Sequence, residues 1–140
     1  MINWLFRWFR RRDDPPHLRL GREGERVARQ YLEHFGLCFL VANYRYRRGE
    51  IDLIFRDGEV LVFVEVKARS SDDWVRPATA VTLKKQQILS RTALGYLAEL
   101  GRPRVPFRFD IVEVILRKGI APEVCHIPDA FLLSAPSMYR

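Results

Sequence analysis

Two apolar segments joined by a short polar turn dominate the pattern of hydrophobic and polar positions in this chain. They span residues 49–55 and 60–67, with Arg56-Asp57-Gly58-Glu59 between them. Neither segment alternates polar and apolar residues, which is typical of strands that are buried on both faces. An Asp-Gly pair supplies the positive φ that a tight hairpin requires. The pattern therefore predicts a hairpin in the interior of a sheet.

Two further segments have apolar residues at helical spacing. The first covers residues 21–36, with Gly36 as its stop, and the second runs from Thr82, a good N-cap, to residue 100, before Gly101. In the first helix, Gly24 would allow close approach to the sheet. We therefore predict two main helices.

Three more apolar segments predict strands over residues 39–46 and 107–116 and a short edge strand within 123–133. The second helix connects the strand at 60–67 to the strand at 107–116, and such a crossover makes the two strands parallel. Residues 68–80 are predicted as a long loop, in which Trp74 either stacks on a base or packs on the domain. The predicted fold class is α/β, a mixed β-sheet flanked by helices with the core order α-β-β-β-α-β.

Three charged residues interrupt the apolar hairpin, namely Asp52 in its first strand and Glu65 and Lys67 in its second. An unpaired charge is costly in such a setting. Side chains alternate along a strand, and an even-length turn puts all three on one face, with Asp52 about 7 Å from Glu65 at the backbone. Two carboxylates at that separation can share one divalent cation. The alternative is a buried ion pair between Lys67 and one of the carboxylates, with no catalytic task.

The turn sets the register of this hairpin. A two-residue loop at Asp57-Gly58 would pair Arg56 with Glu59, Asp52 with Phe63, and Glu50 with Glu65. Glu50 would then share a face with the other three charged residues. An odd-length loop would separate Asp52 from Glu65 and remove the site.

The two carboxylates suit a hard divalent cation. Mg²⁺ prefers oxygen ligands and keeps several waters, so one or two carboxylates and a substrate phosphate suit it, and Mn²⁺ accepts similar ligands. The metal can polarise a phosphate oxygen and lower the pKa of a bound water, and a nearby lysine can orient or deprotonate that water. We predict that Asp52 and Glu65 bind Mg²⁺ (or Mn²⁺) and that Lys67 assists the water.

The same residues carry a resemblance to known nucleases. Asp52, followed by Glu65-Val66-Lys67 at the end of the next strand, resembles the D…(D/E)-x-K signature of the restriction-endonuclease-like nuclease superfamily. Four blocks in one order more narrowly resemble the YraN-like family of small bacterial proteins. They are Gly21-x-x-Gly24-Glu25, Gly49-Glu50-Ile51-Asp52-Leu53-Ile54, Phe63-Val64-Glu65-Val66-Lys67 and Arg108-Phe109-Asp110. E-x-K alone is a weak signal, whereas the four blocks in order are specific.

The resemblance implies a restriction-endonuclease-like fold and Mg²⁺-dependent hydrolysis of phosphodiester bonds in DNA. The family is similar to archaeal Holliday-junction resolvases, so branched DNA is among the implied substrates. A glutamate that faces inward from the first helix often completes the acidic site in the superfamily, which makes Glu25 an outer acidic metal ligand. The alternative for Glu25 is a first-turn acid favoured by the helix dipole. Asp110 either supports the site or bonds a neighbouring element.

The charge of the chain points to an anionic partner. Its 24 Lys and Arg residues outnumber 17 Asp and Glu residues for a formal net charge of +7, and arginine forks match phosphate geometry. We therefore expect nucleic acid, DNA first. Candidate contacts are Lys85 and Gln86 at the start of the second helix, Arg45 and Arg48 at the exit of the first strand, and Arg69 after Lys67. Solvated surface arginines are the alternative, and a nucleic-acid-binding module that does not cut is the alternative function.

The ends of the chain differ from its centre. We predict a basic aromatic extension at residues 1–20, one nuclease-like domain at 21–133 and a tail at 134–140. The extension is a mobile tail or packs its aromatic side chains on the domain; the alternatives are contact with a membrane surface, with single-stranded nucleic acid or with a protein partner. Symmetric junction cutting would need two active sites, which a homodimer would supply.

Cysteine content and hydropathy indicate the compartment. Cys38 and Cys125 have apolar neighbours and are expected to be reduced, buried packing residues. No apolar run approaches a membrane span, and no signal peptide is recognised. A cytoplasmic protein is expected.

Overall fold

Two helices cover opposite faces of a five-stranded mixed sheet. The computed structural model describes residues 15–70 and 81–134. The elements are α1 (Pro16–His34), β1 (Cys38–Tyr46), β2 (Gly49–Asp57), β3 (Val60–Ser70), α2 (Leu83–Glu99), β4 (Phe107–Leu116) and β5 (Glu123–Phe131). The strands lie in chain order, and only the β3–β4 pair, which α2 connects, is parallel. The predicted α/β class and order of elements are confirmed.

Strand β3 lies at the centre of the sheet and is buried on both faces. Leu61 and Phe63 pack in the apolar cluster beneath α2, whereas Val62 and Val64 pack in the cluster beneath α1. This arrangement explains why the first half of β3, residues 60–64, has no polar face in sequence, because each face is covered by a helix. The prediction of a doubly buried strand is confirmed.

Two predicted boundaries were wrong. Helix α1 begins at Pro16 rather than at residue 21, because proline is well suited to the first helical position, where its missing N–H costs nothing. The helix thus starts inside the predicted extension, and residues 1–14 lie outside the described part of the chain. Strand β3 continues to Ser70 rather than ending at Lys67, because its pairing with β4 extends to Leu116. Trp74 also lies outside the described residues.

The hairpin between β2 and β3 is displaced from its predicted register. Asp57 pairs with Val60, so the loop is Gly58-Glu59, and Gly58 has a φ of 60°. The predicted pairing of Asp52 with Phe63 was wrong, since Ile54 occupies that position. The loop still has two residues, so the parity of the pairing is preserved.

Both cysteines lie on the edge strands of the sheet. Cys38 in β1 and Cys125 in β5 are free and exposed. The expectation that they are buried was wrong, because edge strands receive less cover from the helices than β3 does.

Within residues 15–70 and 81–134, neither helix is long and apolar enough to cross a membrane.

Both predicted helix-end signals are found. Thr82 caps α2 as predicted, because its hydroxyl accepts a hydrogen bond from the Lys85 N–H at 3.2 Å. Gly36, with a φ of 91°, follows the end of α1 as predicted.

Candidate active site

The regular alternation of β2 side chains between the two faces of the sheet is interrupted at Asp52. Leu53 packs beneath α1 and Ile54 beneath α2, as alternation requires, but Ile51 also packs beneath α2. On the neighbouring strand β1, Asn43 lies opposite this irregularity and has a φ of 52°. Asp52 therefore lies at a local distortion of the sheet rather than in a regular strand.

The Asp52 carboxylate accepts a backbone hydrogen bond where the pairing of β2 and β3 ends. The pairing of the two strands ends at Leu53 and Val64. Two residues further along β3, the Val66 N–H donates a hydrogen bond to Asp52 Oδ2 at 2.8 Å. This bond holds the carboxylate at the opening between the strands, next to Glu65.

Glu65 is a buried carboxylate with two lysines on one of its oxygens. Its side chain is 7% exposed, and its Oε1 lies 3.6 Å from Lys67 Nζ and 3.6 Å from Lys85 Nζ. Its Oε2 is buried and forms no hydrogen bond with any of the residues that the structure describes. Leaving such an oxygen unsatisfied is costly, which makes Oε2 a candidate ligand atom.

The carboxyl group of Asp52 has a raised pKa. Burial, together with the charge of Glu65, raises the pKa of Asp52 to about 8, while the hydrogen bond from Val66 opposes the rise. Lys85 lowers the pKa of Asp52, and its effect is smaller than those of burial and Glu65. The raised pKa of Asp52 thus reflects a buried carboxylate beside a second acid. A divalent cation would relieve the repulsion between them.

Glu25 reaches the site from α1, at a close contact between the helix and β3. A Cβ atom at Gly24 would overlap the side chain of Ala68, so this glycine is what allows α1 to approach the strand. The predicted role of Gly24 is confirmed. Burial raises the pKa of Glu25; a hydrogen bond from Asn43 opposes this rise, and the charge of Glu50 adds to it.

Asn43 is a site residue that the sequence analysis missed. Its Nδ2 donates to Glu25 at 3.2 and 3.3 Å and to Glu50 Oε1 at 3.0 Å, so it joins two acids that would otherwise repel each other. Asparagine is depleted in strands and tolerates positive φ, and its presence within a predicted strand was the available signal.

Glu50 does not share a face with Glu65, contrary to the prediction. Its neighbours Gly49 and Ile51 both face α2, since a Cβ at Gly49 would overlap Thr92 and Ile51 lies in the cluster beneath α2. Glu50 therefore points toward the α1 side, where it contacts Asn43. The distortion at Asp52 is the physical reason for this reversal.

Two carboxylates make up the candidate metal site. No group of three or more His, Cys, Asp or Glu residues in the described segments is arranged to hold a metal ion. Asp52 and Glu65 are thus the candidate ligands, and Mg²⁺ commonly uses one or two carboxylates together with water and phosphate. Glu25 accepts hydrogen bonds from Asn43, and its metal role stays a prediction.

The predicted phosphate contacts of α2 differ from each other. Lys85 joins the site through Glu65. Gln86 instead donates its side-chain amide to the carbonyl of Val81 at 2.9 Å, which ties it to the segment before the helix. Binding of phosphate by either residue stays a prediction.

The three predicted arginines differ in their contacts. Arg45 pairs with Glu50 at 3.4 Å, and Arg48 is exposed in the turn after β1. Arg69 lies 3.6 Å from the buried Glu113 of β4, so part of its charge neutralises that acid. Their contacts with nucleic acid also stay predictions.

Asp110 belongs to a structural network. Its fully buried carboxylate accepts a hydrogen bond from Arg108 at 3.0 Å and one from the Asp129 N–H at 2.9 Å. It also pairs with His126 Nε2 at 2.8 Å. Burial favours a higher pKa, but these hydrogen bonds together hold the pKa of Asp110 below its ordinary value. Of the two predicted roles, bonding of neighbouring elements is the one found, because the carboxylate joins β4 to β5.

The fold and site define a mixed α/β protein with a carboxylate–lysine cluster where two central strands separate. The chain belongs to the uncharacterised protein family UPF0102, whose family model matches residues 24–114. That range includes every residue of the candidate site.

This chain aligns with relatives from several bacteria over most of the length of each relative. A UPF0102 protein from Chlorobaculum tepidum is 42% identical over 119 residues, which cover 81% of this chain and 92% of that protein. A UPF0102 protein from Geobacter metallireducens is 43% identical over 115 residues, covering 82% and 93%. One from Symbiobacterium thermophilum is 50% identical over 96 residues, covering 69% and 81%.

Proposed function

We propose that the protein is a metal-dependent endonuclease that hydrolyses phosphodiester bonds in DNA, including branched DNA. The observation that carries the proposal is the environment of Glu65. This buried carboxylate has one oxygen without a hydrogen-bond partner among the described residues and has Asp52, with its raised pKa, beside it. A pure DNA-binding surface would gain nothing from buried negative charge that faces phosphate.

Asp52 and Glu65 would hold Mg²⁺ or Mn²⁺. The donor set fits these ions, because both residues supply carboxylate oxygens and Glu65 Oε2 is available. When bound, the metal would polarise a phosphate oxygen and lower the pKa of a coordinated water.

The two lysines of the site would act on the reacting groups. Lys67 and Lys85 each lie 3.6 Å from Glu65 Oε1, which is within ion-pair range but longer than a hydrogen bond. Their ammonium groups thus have hydrogen-bond donors left for other acceptors. Lys67, on the same strand as Glu65, would orient the attacking water, and Lys85 would bind a non-bridging phosphate oxygen.

The resemblance to restriction-endonuclease-like nucleases supports this assignment. Asp52, Glu65 and Lys67, which form the D…E-x-K pattern, meet at the opening between β2 and β3. The mixed sheet with helices on both faces is consistent with the core of such nucleases.

The test is cleavage of labelled single-stranded, duplex and four-way-junction DNA in the presence of Mg²⁺, Mn²⁺ or EDTA. Wild type should cut at least one substrate with metal and none with EDTA, and Glu65→Gln should not cut. The matched control is Glu113→Gln, because Glu113 is buried like Glu65 but pairs with Arg69. This control should retain cleavage.

Calorimetric titration with Mn²⁺ would separate metal binding from chemistry. Wild type should bind the ion, and Glu65→Gln should lose that binding. Tight DNA binding by the wild type without cleavage of any substrate would contradict the proposal and favour a nucleic-acid-binding module that does not cut.

A further inference from the structure

We propose that a basic groove along α2 binds the sugar-phosphate backbone of a nucleic-acid strand that continues from the acidic site. The groove, called the α2 groove below, consists of two cavities of about 510 and 480 Å³. Tyr46, Arg47 and Arg91 line both cavities, so the two are adjoining parts of one surface. This inference rests on the proposed function for the identity of the strand, but its binding test is independent of cleavage.

The described residues that line the α2 groove include five cations and no acid. Its five basic residues are Arg47, Arg48, Lys84, Arg91 and Arg102. Within residues 15–70 and 81–134, none of these five forms an ion pair. Their charge is therefore available to an anion from solution.

A second arginine-rich surface provides the contrast. A cavity of about 630 Å³ beside α1 is lined by four arginines, but also by Glu23 and Glu25. Arg26 pairs there with Glu23, and Arg29 pairs with Glu33 of the same helix. These pairs neutralise much of the positive charge on the α1 side, so the α2 groove is the better candidate for a polyanion.

The length of the α2 groove favours a polymer over a small anion. Its lining residues on the helix run from Lys84 to Ala98, which corresponds to about 21 Å at 1.5 Å per residue. Successive phosphates of one duplex strand lie about 3.4 Å apart along the helix axis. The groove could therefore follow several consecutive phosphates, whereas one free phosphate would use only one or two of the cations.

The groove begins beside the acidic site. Lys84 lines it and directly precedes Lys85, whose Nζ lies 3.6 Å from Glu65 Oε1. A strand with its phosphate at Lys85 would thus meet the groove at its next contacts.

The floor of the groove is held in position by packing. The Tyr46 ring lies against Gly95, where a Cβ would overlap the ring, and the Arg47 guanidinium lies 5.4 Å from the centre of that ring. The contact restrains Arg47, so less side-chain entropy is lost when it binds phosphate.

The test compares two variants that change the net charge equally. Arg47→Glu/Arg91→Glu alters the α2 groove, and Arg56→Glu/Lys118→Glu alters exposed residues outside it, at the far end of β2 and in the β4–β5 turn. Binding of fluorescent single-stranded and duplex DNA is measured by anisotropy in EDTA over a range of salt concentrations. Circular dichroism establishes that each variant is folded, and Lys84→Glu/Arg102→Glu is a second groove variant.

The groove variants should bind DNA at least about tenfold more weakly than wild type, with a salt dependence reduced by about 1.5 in log–log slope, as expected for two lost phosphate contacts. The control variant should lose no more than about threefold, through the general field. Equal losses in the groove and control variants would overturn the inference, and so would a wild type that binds neither form of DNA.

The outcome for the α2 groove is separable from that for the nuclease. Groove-dependent binding without cleavage would overturn the proposed function and leave the groove intact. Metal-dependent cleavage with unchanged DNA affinity in the groove variants would overturn the inference about the α2 groove and leave the proposed function intact.

Discussion

Asp52 and Val66 are joined by a hydrogen bond in which the Val66 N–H donates to Asp52 Oδ2 at 2.8 Å. The bond lies just beyond the last paired residues of β2 and β3, Leu53 and Val64. The Asp52 side chain therefore links β2 to β3 at a point where the two backbones are no longer hydrogen-bonded to each other. A candidate metal ligand is in this way fixed by the fold, which is the pre-organisation that a catalytic site requires.

Asp52→Asn should stabilise the metal-free protein, and this effect should increase with pH. Burial and the charge of Glu65 raise the pKa of Asp52 to about 8 from its ordinary value of 3.8. The folded state thus favours the protonated acid, so its contribution to stability is full at low pH and is lost as pH rises toward 8. Asparagine keeps an oxygen that can accept the Val66 hydrogen bond without the charge.

Denaturant unfolding in EDTA at pH 4 and pH 8 would measure the effect. The gain in unfolding free energy should be small at pH 4 and at least about 1 kcal/mol at pH 8, because each unit of pKa shift corresponds to about 1.4 kcal/mol. Mg²⁺ should stabilise the wild type at pH 8 but not the variant. A gain that is equal at both pH values would contradict the electrostatic explanation.

Removal of both lysines around Glu65 should cost more than the sum of the two single removals. Lys67 and Lys85 lie at the same distance, 3.6 Å, from Glu65 Oε1. In each single variant, Lys67→Met or Lys85→Met, the remaining lysine still compensates the buried carboxylate. In the double variant, Glu65 is a buried charge without either lysine, a situation that typically costs about 3–5 kcal/mol.

A double-mutant cycle from denaturant unfolding at neutral pH would measure this coupling. Glu65→Gln in the background of the double variant should restore most of the lost stability, since the uncompensated charge is gone. Additive losses, or no rescue by Glu65→Gln, would show that the lysines act independently of Glu65.

The residues around Asp52 show which parts of the candidate site could be predicted from sequence and which could not. The residue types and their spacing were sufficient to select Asp52, Glu65 and Lys67, because charged residues in doubly buried strands are unusual. The same spacing could not locate Glu50, since the prediction assumed regular alternation and β2 breaks it at Asp52. The role of Asn43, which joins Glu25 to Glu50, could not be assigned from its unusual place in a strand alone, because strand pairing brings it to these acids from another part of the chain.

The register of the hairpin shows the same limit within the fold. Loops at Asp57-Gly58 and at Gly58-Glu59 both give positive φ to a glycine and both have two residues. In a half-buried strand the apolar pattern would choose between registers, but β3 is apolar on both faces and carries no such information. Long-range packing against the helices decides the register instead.

Gly24→Ala should destabilise the protein despite the better helix propensity of alanine. The new Cβ would overlap Ala68 of β3, a short side chain that cannot rotate away. Alanine in a helix is otherwise favoured over glycine by about 1 kcal/mol, and overpacking of this kind costs about 1–3 kcal/mol. Because the shift would also move Glu25, metal-dependent cleavage should fall with stability.

The compensating variant is Gly24→Ala/Ala68→Gly, which removes the overlapping methyl group. Thermal unfolding of the two single variants and the double variant should show that the double is more stable than Gly24→Ala. If Gly24→Ala is as stable as wild type, α1 can move away from β3 without cost, and the close contact does not hold Glu25 at the site.

Asp110→Ala should destabilise the protein strongly although Asp110 lies outside the candidate site. The variant would leave the Arg108 guanidinium and the Asp129 N–H without their shared acceptor in a buried region. Truncation of one partner of a buried charged network typically costs about 3–5 kcal/mol. Metal binding at Asp52 and Glu65 should persist where the variant is folded, since Asp110 contacts neither residue.

The pH dependence of the wild type provides the second measurement. The pKa of Asp110 is held below its ordinary value of 3.8, so its stabilising contribution is present above that value and is lost as pH falls below it. Acid unfolding followed by circular dichroism should therefore show a wild type that loses stability between pH 4 and pH 2 and an Asp110→Ala variant whose stability changes less over that interval. Parallel curves for the two proteins would show that other carboxylates cause the acid unfolding and that the β4–β5 network is not its origin.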